Sequence, residues 1–232
     1  MKLAVISDIH SNLYALMKVL DDIDSEDVTS IICLGDLVGY GCHPNEVISL
    51  IKRRNILSLK GNYDASVIDN SYTYIRNTET NSFSLPWTFD ELRASNKFFL
   101  SSLPTSMTLD FGNRKIKLVH GSPDKINEYL TEDYENLDAI MNNLSEDVLI
   151  CAHTHMPYIK NFNNKLLINA GSVGKPKNGS PNATYAILEI YDNMPIKAKI
   201  KSVEYDYNKI IKDMQLNKFP SRLINSYESG IE

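Results

Sequence analysis

Apolar residues come in short blocks along the first third of the chain, each followed by a polar loop and then an amphipathic run. "KLAVIS" is a β-rich block, and "NLYALMKVLDDI" sets Leu13, Leu16, Met17 and Leu20 at helical spacing. The cycle repeats with "SIICL", the loop "GDLVGYGC" and "HPNEVISLIKRR", where Pro44 suits a first helical turn. "ILSL" gives a third strand, ending in "KGNYD". Three units of strand, polar loop and helix predict a partly parallel sheet with helical crossovers.

From about Ala65 to Pro104 the pattern loosens into Tyr, Asn, Ser and Thr before a helical run, "FDELRASNKFFLSSL". This segment, 65–104, is expected to leave the sheet as a cap-like excursion over a site or a partner. "SMTLDFGNRKIKLVHG" predicts two strands about a Gly-Asn turn, "YENLDAIMNN" a helix, and "DVLICAHTH" a further strand. The last third, "KLLINAGSVG", "ATYAILEIYD" and "PIKAKIKSVEYD", is strand-rich and predicts a second sheet. A short helix, "YNKIIKDMQL", precedes a polar tail. With no internal repeat, the 232 residues are expected to form one domain, 1–232.

Composition narrows the function. Hydrophobic residues make up 43% and charged residues 23%, the balance of a soluble globular protein. Lys and Arg number 24 against 29 Asp and Glu, a net charge of −5, so no bulk positive field exists to hold a nucleic-acid polymer. Cys33, Cys42 and Cys151 are odd in number and lack C-x-x-C spacing, which predicts a reducing cytoplasm. The apolar part of "MKLAVISDIH" is too short for a signal peptide, and no stretch reaches the length of a membrane span. Oligomeric state leaves no mark on the sequence, and a homo-oligomer stays open.

The polar residues of interest fall at one kind of place. Asp8 and His10 follow the first strand, Asp36 the second, Asn62 the third, His120 "KIKLV", and His153 with His155 "DVLIC". In an open α/β sheet the carboxyl ends of neighbouring strands converge on one crevice. Two carboxylates, four imidazoles and an amide there would each cost about 1–3 kcal/mol if buried unpaired. A pair of divalent cations removes that cost. Mixed imidazole and carboxylate donors suit Mn, Fe, Zn, Ni or Co rather than Ca or Mg.

In order, the loops read D-x-H, G-D, G-N-x-D, H-G and H-T-H, and in this the chain resembles the calcineurin-like metallophosphoesterase superfamily, its small single-domain prokaryotic branch in particular. The resemblance runs from "SDIHSN" to "NAGSVG". It implies an α/β fold, a four-layer α-β-β-α sandwich of two mixed sheets. It also implies that Asp8, His10, Asp36 and His155 hold one divalent transition-metal ion, and that Asp36, Asn62, His120 and His153 hold the other. A carboxylate has two oxygens, so Asp36 can bridge. The implied reaction is hydrolysis of a small phosphodiester or nucleotide-like substrate by a water or hydroxide held between the metals, with Asp36, Asn62 and His120 as catalytic residues. A phosphomonoesterase, protein phosphatases included, and a non-catalytic scaffold of the same fold are the alternatives. Tyr63 stands where the protein-phosphatase branch has His, so the leaving-group acid is unassigned.

Other positions have two readings each. Asn12 could touch a phosphate oxygen or cap the first helix. Asp64 could accept from a ligand imidazole and orient it, or cap a helix. His43 reads as a helix-start residue before a substrate contact. Tyr63, Lys175 and Lys177 are candidate substrate contacts. Tyr72, Tyr74, Arg76 and Trp87 suit either a nucleotide-like group or a small cap core.

Overall fold

The computed structural model of the protein describes residues 1–191 and 194–231. Strands β1 (Lys2–Ile6), β2 (Ser30–Cys33) and β3 (Leu57–Ser58) run parallel, joined by helices α1 (Leu13–Asp24) and α2 (Pro44–Arg53). Helices α3 (Asn62–Ile68), α4 (Glu79–Glu91) and α5 (Ala94–Ser102) follow. The single helical run predicted over 89–103 is thus divided between two helices. Leu92 and Arg93 are extended at the break, and Asn45 satisfies the freed backbone by donating to Glu91 O at 2.9 Å and accepting from Arg93 N at 3.0 Å.

Strands β4 (Ser106–Asp110), β5 (Lys115–Val119), β6 (Val148–Cys151), β7 (Tyr158–Phe162) and β8 (Lys165–Asn169) form a second sheet in the order β4-β5-β6-β8-β7. Helix α6 (Leu137–Asn143) lies between β5 and β6 in sequence. The last strands, β9 (Ala183–Glu189) and β10 (Lys197–Val203), return to the first sheet, whose order is β10-β9-β1-β2-β3. The last third therefore does not make a sheet of its own: β8 pairs with β6, while β9 lies antiparallel to β1. Asp192, at the end of the run predicted for β9, lies outside the described residues. Helix α7 (Tyr207–Leu216) matches the expected short helix. The supposed polar tail contains another helix, α8 (Ser221–Ser229), with Leu223, Ile224 and Tyr227 buried.

Side-chain alternation explains the layering. Successive residues of a strand face opposite sides, so Leu3 and Val5 of β1 meet Ile116, Leu118, Val148 and Ile150 of the second sheet between the sheets. Ala4 and Ile6 point the other way, into a core with Leu16, Val19 and Ile48 of α1 and α2. On the far side of the second sheet, Leu149 and Cys151 pack with Leu137 and Met141 of α6. Three cores between four layers make the α-β-β-α sandwich. Strands buried on both faces need the near-continuous apolar runs seen in the sequence. Among the described residues no helix is long and apolar enough to cross a membrane.

Glu26, just past α1, ties the edge strand β10 to β1. Its carboxylate accepts from Lys2 Nζ at 2.8 Å and Lys201 Nζ at 2.7 Å, with Lys199 Nζ at 3.3 Å. Those ammonium groups, Lys2 first, hold the Glu26 carboxyl down at about 2. A carboxyl lowered by folding stabilises above its unfolded value and loses that contribution as pH falls toward its folded one. Urea unfolding of Glu26→Gln is accordingly expected to show a deficit against the parent protein at pH 7 that closes between about pH 4.5 and 2.

Candidate active site

Seven polar side chains from five strand ends meet at one edge of the sandwich: Asp8, His10, Asp36, Asn62, His120, His153 and His155, all buried and none more than 6% exposed. Backbone bonding fixes their loops to one another. Asp8 N donates to Gly35 O and His10 N to Asp36 O, both at 3.0 Å, so the loops after β1 and β2 stay zipped beyond their strands. Gly174 N donates to Asp8 O at 2.9 Å, and Ala152 N to His120 O at 2.9 Å, which brings in the loops after β8 and β6.

Local conformation is unusual here. Asp8, His10, Asp36, His153 and His155 all have left-handed backbone, with φ of 50°, 46°, 52°, 65° and 61°. Each such residue is strained by roughly 1–2 kcal/mol, and clustered strain of this kind marks functional sites. Asp and His tolerate it better than β-branched residues. Gly35 and Gly61 permit the loops after β2 and β3 to touch: a Cβ on Gly61 would lie 2.1 Å from Asp36 Oδ1, and one on Gly35 would lie 2.4 Å from Gly61 N.

The imidazoles are aimed by carbonyls. His10 Nδ1 is 3.1 Å from Val38 O, His120 Nδ1 is 3.0 Å from Leu34 O, and His155 Nδ1 bonds Lys175 O. A carbonyl only accepts, so each Nδ1 carries the hydrogen and each Nε2 points inward, offering a lone pair when the ring is neutral. His10 Nε2 and His155 Nε2 then face each other at 3.1 Å as two acceptors. His120 Nε2 lies 2.8 Å from Asn62 Oδ1, the acceptor end of an amide whose Nδ2 donates to Tyr74 O at 3.2 Å. Asp8 Oδ1 and His153 Nε2 have no hydrogen-bond partner among the described residues. Converging lone pairs and orphaned buried donors of this type are what a cation requires and what a protein without one leaves unsatisfied.

Two groups of donor atoms each lie within 4.8 Å of one another, Asp8 with His10 and His155, and Asp36 with His120 and His153. Asp36 stands between them. Its Oδ1 accepts from Tyr63 N at 2.7 Å, while Oδ2 is 3.6 Å from His10 Nε2 and 3.4 Å from His120 Nε2. Asp8 Oδ1 is 3.2 Å from His155 Nε2. Burial opposes its charge, yet the imidazoles of His155 and His10 hold the Asp8 carboxyl well below the usual range. Burial also opposes charge on His120, but the Asp36 carboxylate raises it to about 9. Burial drives His153 down to about 3 and His155 to about 4. Neutral imidazoles are the form that ligates a metal.

Asp64 binds backbone rather than an imidazole. It accepts from Leu37 N at 2.9 Å, Val38 N at 3.2 Å and Gly61 N at 2.9 Å, clamping the two loops that carry Asp36 and Asn62. Burial and the Asp36 charge push it up to about 7. Asn12 caps α1 by accepting from Ala15 N at 3.1 Å, and its Nδ2 donates to Gly174 O at 2.9 Å and Tyr205 OH at 3.0 Å. Lys175 is buried with Nζ 4.9 Å from the Tyr40 ring centroid. His43 pairs with Asp213 of α7 at 3.0 Å, away from the crevice. Trp87 packs against Phe219.

A cavity of about 480 Å³ opens beside the donor groups, lined in part by Asn62, Tyr63, Tyr74, Arg76, Lys177 and Arg222. Neither Asn12 nor Lys175 is among the described residues that line it. Tyr129, unremarked in the sequence, lies on its wall with its ring 4.1 Å from that of His153. Arg222 was equally hidden, since it belongs to the unpredicted α8. The signal available for that helix was the 223, 224, 227 spacing of Leu, Ile and Tyr.

Residues 1–193 match the calcineurin-like phosphoesterase superfamily domain. The chain is 36% identical to an uncharacterized protein of Methanocaldococcus jannaschii over 95% of either sequence. It is 27% identical to phosphodiesterase YfcE of Escherichia coli K12, over 82% of this chain and 88% of that one. The crystal structure of a metallophosphoesterase from Sphaerobacter thermophilus superposes with a TM-score of 0.82 at 28% identity, covering 100% of this chain and 99% of the other.

Proposed function

The chain belongs to the calcineurin-like phosphoesterase superfamily and is a metal-dependent phosphoester hydrolase, and on that premise we propose that it is a dinuclear enzyme cleaving small phosphodiester or nucleotide-like substrates. Asp8, His10, Asp36 and His155 would hold one divalent ion, and Asp36, Asn62, His120 and His153 the other, with Asp36 shared. The observation that carries this is the pair of inward Nε2 atoms of His10 and His155, 3.1 Å apart with both Nδ1 hydrogens engaged elsewhere. When bound, such ions polarise a phosphorus ester and lower the pKa of water.

The chain's own residues do the positioning. Asp36 is held by Tyr63 N, leaving Oδ2 directed at the centre. Asn62 presents only its amide oxygen, because Tyr74 O takes the nitrogen. The Tyr63 hydroxyl donates to Asn81 Oδ1 at 2.6 Å, which orients the cavity wall beside Asn62. We read the whole chain as one domain and 65–104 as its cap, a reading supported by the contribution of Tyr74, Arg76 and Asn81 to the cavity. The similarity to a phosphodiesterase and the modest cavity favour a small diester over a long polymer. Three buried free thiols fit a reducing compartment, read here as the cytoplasm.

Purified protein, analysed for bound metal and assayed with Mn²⁺ on bis(4-nitrophenyl) phosphate and 4-nitrophenyl phosphate, tests the assignment. The expected result is two ions per chain, turnover abolished by chelation and restored by Mn²⁺, and faster cleavage of the diester. Metal-free, inactive protein under all conditions would favour a scaffold, and preference for the monoester would assign a phosphomonoesterase.

A further inference from the structure

The connection between α3 and α4, residues 69–78, has neither helix nor strand and its side chains are largely exposed, yet two of its carbonyls accept bonds from buried residues. Asn62 Nδ2 donates to Tyr74 O at 3.2 Å, with Asn127 Nδ2 at 3.4 Å from the same oxygen. Asn81 Nδ2 donates to Arg76 O at 2.8 Å. Asn81 itself, 5% exposed in the first turn of α4, uses the other end of its amide to accept from Tyr63 OH at 2.6 Å. Because Asn62 and Tyr63 are consecutive, these bonds close a circuit: Asn62 to Tyr74, along the chain to Arg76, through Asn81 to Tyr63 and back.

Tyr63 gives the circuit a firm base. It is 2% exposed, its ring centroid lies 4.6 Å from that of Tyr40 and 5.5 Å from that of His10, and its N donates to Asp36 Oδ1. Asn81 therefore carries the position of the ligand loop over to a segment with no regular structure of its own.

The amide of Asn62 has two ends of nearly the same shape, and only the oxygen offers a cation a lone pair. Tyr74 O, which can only accept, decides between them. It draws the nitrogen toward the cap and leaves Oδ1 2.8 Å from His120 Nε2. Displacing that carbonyl lets the NH₂ turn inward, a donor where a ligand is required. Resting on the dinuclear reading, we infer that Asn81 is a positioning residue for Asn62: by pinning Arg76 O it holds Tyr74 O in place, and through it the cap sets the affinity of the ion assigned to Asp36, Asn62, His120 and His153. His10 and His155, assigned to the other ion, are aimed by Val38 O and Lys175 O instead.

Calorimetric titration of chelator-stripped protein with Mn²⁺ tests this. The parent is expected to bind two ions. Asn81→Ala, with a native circular dichroism spectrum, should weaken one of them about tenfold, the cost of losing a partner behind a metal ligand, and leave the other unchanged. In an Asn62→Asp background both ends of the side chain are oxygens, so the same substitution should cost less than about twofold. Should Asn81→Ala not fold, Tyr63→Phe, which removes the hydroxyl bonded to Asn81, is expected to give a smaller loss at the same ion. Unchanged affinities, equal weakening of both ions, or an equal cost in both backgrounds, as loosening of the segment alone would give, overturns the role of Asn81 while the dinuclear reading stands. Parent protein that binds fewer than two ions overturns the dinuclear reading, and the inference with it.

Discussion

Asp36→Asn is expected to lower diester turnover on the order of 10³-fold while leaving the far-UV circular dichroism spectrum native. The replacement keeps volume, and its amide oxygen can still accept from Tyr63 N, as Asp36 Oδ1 does at 2.7 Å. What changes is the other position. An NH₂ group would sit where Oδ2 now lies 3.4 Å from His120 Nε2 and 3.6 Å from His10 Nε2, a donor in place of an anionic oxygen that faces both donor groups. Metal content measured by elemental analysis should fall with activity. Native spectra with unchanged turnover would reject the shared role of Asp36.

The second large effect is expected from Gly61→Ala. The backbone of Gly61, φ −87° and ψ 174°, suits any residue, so the effect isolates space rather than conformation. The added Cβ would meet Asp36 Oδ1 at 2.1 Å and Asp36 N at 2.2 Å, and backbone cannot swing aside as a side-chain tip can. The loops after β2 and β3 must separate, which strains the two bonds that Asp64 makes across them to Leu37 N and Val38 N. A loss of about 3 kcal/mol in urea unfolding is expected, together with loss of metal and activity. A change below about 1 kcal/mol with full turnover would mean that the loops part freely.

These effects reach back to what the sequence could and could not announce. The residues that converge at the site were legible because His is scarce in this chain and four of its five sit, with Asp and Asn, directly after apolar runs. The layers were legible because both-face burial demands continuous apolar strands. Other features depended on partners distant in sequence. Whether β9 would pair with β8 or with β1 turns on register across the whole chain, and local alternation cannot decide it. Asn12 offered capping or substrate contact, and its local setting favours the cap it makes; its amide nitrogen bonds Gly174 O and Tyr205 OH, groups 162 and 193 residues away. Asp64 looked like a cap and is one, but its use across to Leu37 and Val38 is a tertiary fact. Arg222 was hidden because α8 is polar on its outer face, and only its inner stripe of Leu223, Ile224 and Tyr227 marks it as a docked helix.

The inward histidines also bear on how the polypeptide reaches its native state. His10 and His155 stand 145 positions apart, one after the central strand of each sheet. Closing a loop of that length is entropically expensive and slow, so the centre can be completed only once both sheets exist and have stacked. An ion held by both histidines, as proposed, would therefore meet its full set of ligands only in the stacked structure. Its expected effect is that of a latch, slowing escape from the native basin rather than hastening arrival.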